Sequence, residues 1–200
     1  MYFKEIIGHT KIKEALCTSA KNNHIPHAQL FLGQEGSPNL AFALAFANYI
    51  VCENKQDKEA CGTCAACRKS NKFIHPDIHF IFPVATTKKV TKDPVSSLFL
   101  SEWRAFLQEN PYGNLKDWSD FLETENKQCQ ISKEESRTII KDIYLKPFEA
   151  SVKLFIIWLP ERMHPSAANA LLKILEEPPG ETVFILVSND QENLLPTILS

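Results

Sequence analysis

Strand candidates alternate with helix candidates along this chain, and that alternation restricts the possible folds more than any other feature. Residues 153–159 and Thr182–Ser188 are almost continuously apolar, which is typical of strands buried on both faces. Ala28–Leu32 and residues 78–83 are two further strand candidates, and Pro83 ends the second. Because strands that alternate with helices form parallel sheets, the sequence predicts an α/β fold with a parallel sheet and helices on both faces.

Four stretches around these strands have helical patterns: residues 4–22, about 40–51, 132–143 and 166–177. The first would present one apolar face, made by Ile7, Ile12, Leu16 and Ala20. The second is almost wholly apolar, so it should be buried, and Pro38 suits its first turn. Ser132 and Glu135 have the spacing of a capping box at the start of the third.

Composition excludes several classes of protein. The 200 residues are enough for one or two compact domains, and 44% hydrophobic with 23% charged residues is ordinary for a globular chain. A net charge of −2 gives no sign of an overall DNA-binding face. No apolar run approaches the roughly 20 residues that span a bilayer, and residues 1–6 lack the layout of a signal peptide. We therefore expect a cytoplasmic protein without a membrane partner.

A loop with two glycines, Gly33 and Gly36, follows the first strand candidate and precedes the apolar helix. This is the setting of the P-loop pattern G-x-x-x-x-G-K-[ST], which binds phosphates through amides and a lysine and binds magnesium through a hydroxyl. Aligned on Gly33, the second glycine, the lysine and the hydroxyl residue correspond to Pro38, Asn39 and Leu40. Pro38 lacks an N–H, Asn39 lacks a positive charge and Leu40 lacks an oxygen ligand. The loop predicts an NTPase scaffold that does not hydrolyse nucleotide. The alternative is an ordinary strand–turn–helix connection.

The strand candidate at 153–159 lacks the acidic pair that ends a Walker B strand and serves magnesium and water there. Trp158 and Leu159 occupy those two positions, and Glu161, beyond Pro160, is not expected to reach the same point. Ser188 and Asn189 lie where working ATPases carry a sensor residue, and we interpret them as turn residues. One interpretation is that this strand never belonged to an ATPase. The other is that the glycine loop and the end of this strand have both lost the residues that an ATPase needs. The second interpretation is favoured, and no ATP is expected as a cofactor.

Four cysteines, Cys52, Cys61, Cys64 and Cys67, form the pattern C-x8-C-x2-C-x2-C. Two thiolates of a C-x2-C loop can bind one tetrahedral ion, and four thiolates close its coordination shell. The spacing therefore predicts a structural site in a module at residues 52–67, with zinc as the first choice. An iron–sulfur cluster is the alternative on ligand type, and unligated thiols are the remaining one. Cys17 and Cys129 stand alone, and Cys17 is expected to be a small core residue.

Residues 169–179 (Asn-Ala-Leu-Leu-Lys-Ile-Leu-Glu-Glu-Pro-Pro) resemble the signature helix of bacterial clamp-loader subunits. Other stretches are similar to the same family: residues 27–31, the cysteine module, His75-Pro76-Asp77, residues 131–148 with Arg137, and residues 195–200. The resemblance implies an AAA+ P-loop-type domain with an inserted zinc-binding module. Within the family, the gamma/tau motor subunits keep an intact P-loop. The delta-prime subunits of DNA polymerase III are similar to this chain in having a zinc module and no working ATP site.

The resemblance also implies a role. A delta-prime subunit is a non-catalytic, stator-like member of a five-subunit ring, and it presents an arginine to a neighbouring ATPase. Its partners would be the gamma/tau and delta subunits and, indirectly, the sliding clamp and primer-template DNA. The family's arginine would follow Ser200, and the lid and collar domains are not in this chain. Residues 1–200 are therefore expected to be an N-terminal AAA+ domain, monomeric alone. The alternatives are an active gamma/tau-like ATPase and a zinc-dependent nucleic-acid-binding module.

Residues of about 84–129 exceed the family pattern and form an insertion with two tryptophans, Trp103 and Trp118. Two short amphipathic segments, at 101–109 and 115–125, are separated by a Pro-Tyr-Gly turn. We expect them to form a helical pair whose aromatic side chains pack onto the domain. An additional partner surface is the alternative.

Overall fold

Four parallel strands form one sheet in the part of the chain that the computed structural model describes, residues 1–124 and 127–194. The strands are β1 (Ala28–Leu32), β2 (Ile78–Ile81), β3 (Lys153–Trp158) and β4 (Thr182–Ser188). Their order is β1-β4-β3-β2, and every neighbouring pair is parallel. The predicted parallel α/β fold is confirmed, and β3 has a strand on each side, as its apolar sequence requires.

Helices cover both faces of this sheet. They are α1 (Thr10–Lys21), α2 (Asn39–Val51), α3 (Ala65–Ser70), α4 (Leu100–Glu109), α5 (Leu115–Phe121), α6 (Lys133–Ile143) and α7 (Pro165–Glu176). One core contains side chains of α2, α4 and α5, and the other contains side chains of α6 and α7. The side chains of β3 alternate between them, with Ile156 and Trp158 in the first core and Phe155 and Ile157 in the second. The sheet therefore separates two cores.

Helix α2 is buried over nearly its whole length, as its sequence predicts. It begins at Asn39, and Pro38 is its N-cap residue rather than a member of its first turn. Strand β1 differs from the prediction of a buried strand, because it lies at the edge of the sheet in the described residues. Its last residue, Leu32, is 46% exposed.

The prediction of one helix over residues 4–22 is wrong. Gly8 and His9 both have positive φ angles, +74° and +54°, so the chain turns there and α1 begins at Thr10. A short 3-10 helix, Phe3–Glu5, precedes the turn. Ile7 lies before α1 and is 94% exposed, and Ile12 is 49% exposed. Of the predicted apolar face, Ala20 is buried and Leu16 packs against the core, and Cys17 joins them on the inner face of α1.

The insertion packs its aromatic side chains onto the domain, as predicted. The Trp103 ring stacks on Phe82 at 4.2 Å between centroids and meets Trp118 edge-on at 5.1 Å. The Trp118 indole N–H donates to the Pro83 carbonyl at 2.8 Å, near the end of β2. Helix α5 ends at Phe121, and residue 125, the last of the predicted segment, lies outside the described residues.

Within residues 1–124 and 127–194, no helix has both the length and the apolar character needed to cross a membrane.

Candidate functional site

The four predicted ligand cysteines lie together. Cys52 follows α2, Cys64 is the N-cap residue of α3 and Cys67 lies in α3, so two helix ends and one loop position the sulfurs. All four sulfurs lie within 4.8 Å of one another, and those of Cys61 and Cys67 are 3.9 Å apart. A tetrahedral ion with Zn–S bonds of about 2.3 Å separates its sulfurs by about 3.8 Å. The cluster therefore has the size of a four-thiolate metal site.

Backbone N–H groups point at three of these sulfurs. Cys61 donates to Cys52 Sγ at 3.3 Å, Cys64 to Cys61 Sγ at 3.4 Å, and Cys67 to Cys64 Sγ at 3.4 Å. The N–H groups of Thr63 and Cys64 lower the pKa of Cys61 to about 6, whereas burial raises the pKa of Cys52 and Cys67. Such outer contacts orient metal ligands. A cation would offset the burial of thiolate charge, so the donor set fits zinc or an iron–sulfur cluster.

The loop after β1 is closed on itself. The Ser37 N–H donates to the Gln34 carbonyl at 2.9 Å, and the Gly33 N–H donates to the Ser188 carbonyl at 3.1 Å. A Cβ added to Gly33 would lie 2.1 Å from Ser37 Oγ. A side chain at position 33 would therefore have to displace the Ser37 side chain, and the Ser37 N–H is bonded within the loop.

Asn39 connects the loop to the end of β4. Its Nδ2 donates to the Ser188 carbonyl at 2.9 Å and to Asn189 Oδ1 at 2.8 Å, while its Oδ1 accepts from the Leu40 N–H at 2.9 Å. Leu40 is buried in the core. The position aligned with the P-loop lysine thus holds an amide whose bonds are made within the protein.

Glu161 joins the same network. Leu159 has a φ of +56° and is followed by the 3-10 helix Pro160–Arg162, which brings Glu161 to the end of β4. Its carboxylate accepts from Ser188 Oγ at 2.9 Å and from the Asn189 N–H at 3.1 Å, and burial raises its pKa. Ser188 and Asn189 are therefore more than turn residues. Their position at the end of a buried strand is the only local signal that the sequence offers, and it does not indicate their partners Asn39 and Glu161.

Trp158, the last residue of β3, belongs to the aromatic core of the insertion. Its ring centroid is 5.1 Å from that of Trp103 and 6.4 Å from that of Phe106. Leu159 is also buried. The two positions aligned with the Walker B acids are thus filled by hydrophobic side chains with packing roles.

A cavity of about 490 Å³ lies beside this network, at the carboxyl end of the sheet. Its charged lining consists of Glu35, Glu161, Asp190 and Arg162. Three carboxylates and one guanidinium give this lining a formal charge of −2. Such a surface disfavours a phosphate ligand.

Asp77, in the His-Pro-Asp stretch, has a role that sequence reasoning did not assign. Its carboxylate accepts the N–H groups of Phe148 at 2.5 Å, Glu149 at 2.7 Å and Ala150 at 2.7 Å. It thereby fixes the loop between α6 and β3 to the start of β2. Three backbone donors on one carboxylate form a rigid local connection.

The parallel sheet, the glycine loop after its first strand and the helices on both faces define a class of α/β proteins with a solved example. A gamma subunit-related protein of DNA polymerase III from Thermotoga maritima has this fold, with a TM-score of 0.52. It is 21% identical, and the match covers 92% of this chain and 42% of that chain.

The sequence profile of the family described as DNA polymerase III, delta subunit, matches residues 8–200, and the chain belongs to that family. The chain is similar to the DNA polymerase III delta' subunit of Bacillus subtilis, at 28% identity over 95% of this chain and 44% of the relative. It is also similar to the delta' subunit of Pseudomonas aeruginosa, at 30% identity over 87% of this chain and 40% of the relative. The chain thus spans less than half the length of these relatives. Residues 195–200, which resemble the run-in to the family's arginine motif, lie outside the described residues.

Proposed function

We propose that this chain is the N-terminal AAA+ part of a non-catalytic, delta-prime-like clamp-loader subunit. In this role it supports ATP-driven loading of the sliding clamp onto primed DNA by neighbouring gamma/tau and delta subunits. The observation that carries the proposal is the Asn39 amide, bonded to Ser188 and Asn189 at the position of a phosphate-binding lysine.

Three further features support the absence of nucleotide chemistry. The Ser37 amide is bonded within the loop, Leu40 offers no oxygen to magnesium, and Trp158 is part of an aromatic core. The side chains that line the adjacent cavity have a negative formal charge, whereas a triphosphate is bound by positive charge. Since a neighbouring subunit's arginine can supply orders of magnitude in rate to phosphoryl transfer, a subunit without its own site can still serve catalysis.

The proposal includes a structural zinc ion held by Cys52, Cys61, Cys64 and Cys67. Four thiolates would leave no open position for water or substrate, so the ion would stabilise the module at 52–67 rather than act chemically. Zinc is the first choice of ion because four thiolates form a closed tetrahedral site, and an iron–sulfur cluster is the alternative on ligand type. Residues 84–129 remain, in this proposal, an insertion that completes one of the two cores.

Equilibrium dialysis with labelled ATP and magnesium tests the nucleotide part of the proposal. We expect no saturable binding at millimolar ATP, with an intact P-loop ATPase as the positive control. A double variant, Asn39→Lys with Leu40→Thr, restores the two side chains, and binding by this variant alone would support the assignment. Magnesium-dependent binding and hydrolysis by the unaltered chain would instead favour the gamma/tau-like alternative.

A further inference from the structure

The amino-terminal segment, residues 2–6, lies against the loop that connects two of the metal-ligand cysteines. The Glu59 carboxylate accepts the N–H of Phe3 at 3.2 Å and that of Lys4 at 2.8 Å. The same carboxylate accepts the N–H of Ala60 at 3.0 Å, directly before the ligand Cys61. One side chain of the cysteine loop thus binds two backbone groups of the segment.

Tyr2 extends this contact to the other side of the cluster. Gly62 has a φ of +76°, and a Cβ added there would lie 3.1 Å from the Tyr2 hydroxyl. The same hydroxyl accepts a hydrogen bond from the Asn71 side-chain amide, just after α3. Tyr2 therefore packs closely on the turn between two ligand cysteines.

Phe3 makes a third contact, within the core. Its ring is buried and lies 6.2 Å between centroids from the ring of Tyr49, in α2. The Tyr49 hydroxyl in turn donates to the Gln56 carbonyl, in the cysteine loop, at 3.0 Å. The segment is thus connected to the loop through backbone, hydroxyl and ring groups.

The cysteine loop has little core of its own. Residues 53–58 are all exposed, and the buried side chains are at its ends, at Cys52 and Ala60. An ion bound by Cys52 and Cys61 would hold those two ends together and so fix the position of Glu59 between them. Metal-binding free energy of this kind becomes folding free energy.

We infer that the cysteine metal centre organises a docking site for the chain's own amino-terminal segment, so that metal occupancy and docking of residues 2–6 are thermodynamically linked. This inference rests on the proposed structural zinc. Linkage is reciprocal: if the metal favours docking, docking favours retention of the metal by the same factor.

Zinc release to a chromogenic chelator tests the link from one side. Phe3→Ala should weaken zinc retention by about tenfold, within the usual range of coupling between sites. Ile7→Ala is the matched control, because Ile7 lies in the same stretch but is 94% exposed. Glu59→Gln provides a second variant that keeps the side-chain size. Equal zinc retention in all four proteins, including the unaltered chain, would overturn the inference.

Hydrogen exchange tests the link from the other side, after the zinc content has been measured by mass spectrometry. On zinc removal, the Phe3 and Lys4 amides should lose protection while the β4 amides keep theirs. Unchanged protection at Phe3 and Lys4 would overturn the inferred linkage but would leave the zinc proposal standing. Loss of protection throughout the chain would have the same consequence. A chain purified without bound metal, and unable to take up zinc, would overturn the zinc proposal as well.

Discussion

At the residue scale, Asn39 shows how one side chain can hold a loop against the end of a neighbouring strand. Its amide donates to two acceptors at the end of β4 and accepts from the first turn of α2. These bonds hold the loop after β1 against the sheet without a phosphate. The position of the loop relative to β4 therefore depends in part on the Asn39 side chain.

Asn39→Ala should destabilise the chain by about 1–2 kcal/mol, because it removes the hydrogen bonds that Nδ2 donates to the Ser188 carbonyl, which keeps the Gly33 N–H, and to the half-buried Asn189 Oδ1. Urea unfolding followed by circular dichroism measures this change. Gln108→Ala, which removes an exposed amide from α4, is the control and should change the free energy of unfolding by less than about 0.5 kcal/mol. Equal effects of the two substitutions would contradict the role given to Asn39.

The hydrogen bonds of the Asp77 carboxylate predict that the stability of the protein depends on pH. Burial raises its pKa, but the N–H groups of Ala150, Phe148 and Glu149 outweigh burial, so the net pKa is lowered. A carboxyl whose pKa is lower in the folded state stabilises the protein above its unfolded pKa, and that stabilisation is lost as pH falls through the folded pKa. Asp77→Asn should therefore cost about 1–3 kcal/mol at pH 7 and progressively less below about pH 4. A difference between the two proteins that stays constant from about pH 7 to about pH 3 would contradict this assignment.

At the element scale, the insertion offers a matched pair of tryptophans. Both indoles are buried, but Trp118 Nε1 donates to the Pro83 carbonyl, whereas Trp103 Nε1 has no hydrogen-bond partner in the described part of the chain. Trp118→Phe should therefore cost about 1 kcal/mol more than Trp103→Phe, since only the first leaves a buried carbonyl unpaired. Thermal or urea unfolding of the two variants measures the difference. A larger cost for Trp103→Phe would show that ring packing, and not the hydrogen bond, dominates.

Most elements of this fold are predictable from the sequence. Continuous apolar runs identify β3 and β4, and the alanine-rich stretch identifies α2, because burial leaves a local composition signal. The break at Gly8 and His9 is hidden, since Ile12, Leu16 and Ala20 recur every four residues and Ile7 extends the apolar pattern past the break.

The predicted capping box of α6 forms only in half. Ser132 Oγ accepts the Glu135 N–H at 3.4 Å, as the spacing predicts. The Glu135 carboxylate does not return to the Ser132 backbone; it accepts from the N–H and the hydroxyl of Ser96, each at 2.6 Å. That contact joins α6 to the insertion, so it depends on tertiary structure and leaves no local signal.

The site is predictable to different degrees. The cysteine spacing is local, so the sequence indicates all four sulfurs that the fold brings together. The network of Asn39, Glu161, Ser188 and Asn189 joins residues far apart in the chain, so it depends on strand order and is not predictable from local patterns. Local sequence patterns thus indicate the ligand cysteines, whereas contacts between distant elements are known only from the structure.

At the scale of the whole molecule, the cysteine cluster should hold one zinc ion per chain. Cys61→Ser should lower the zinc content well below one, because oxygen is a poorer zinc ligand than thiolate in such a site. Cys129→Ser, at a buried cysteine outside the cluster, is the control and should retain the metal. Mass spectrometry of the purified proteins measures the content. Full zinc retention by the Cys61→Ser variant would contradict the four-thiolate site.

The aromatic packing of Trp158 has a consequence for evolution. An aspartate at this position would place a carboxylate within the ring cluster of Trp103 and Phe106, and burying an unpaired charge is strongly unfavourable. Replacing Asn39 with lysine would remove the side-chain amide whose hydrogen bonds hold the loop in place. In the proposed function, an acidic residue at position 158 and a lysine at position 39 would therefore each lower the stability of the chain, and this loss would oppose substitutions towards a nucleotide site.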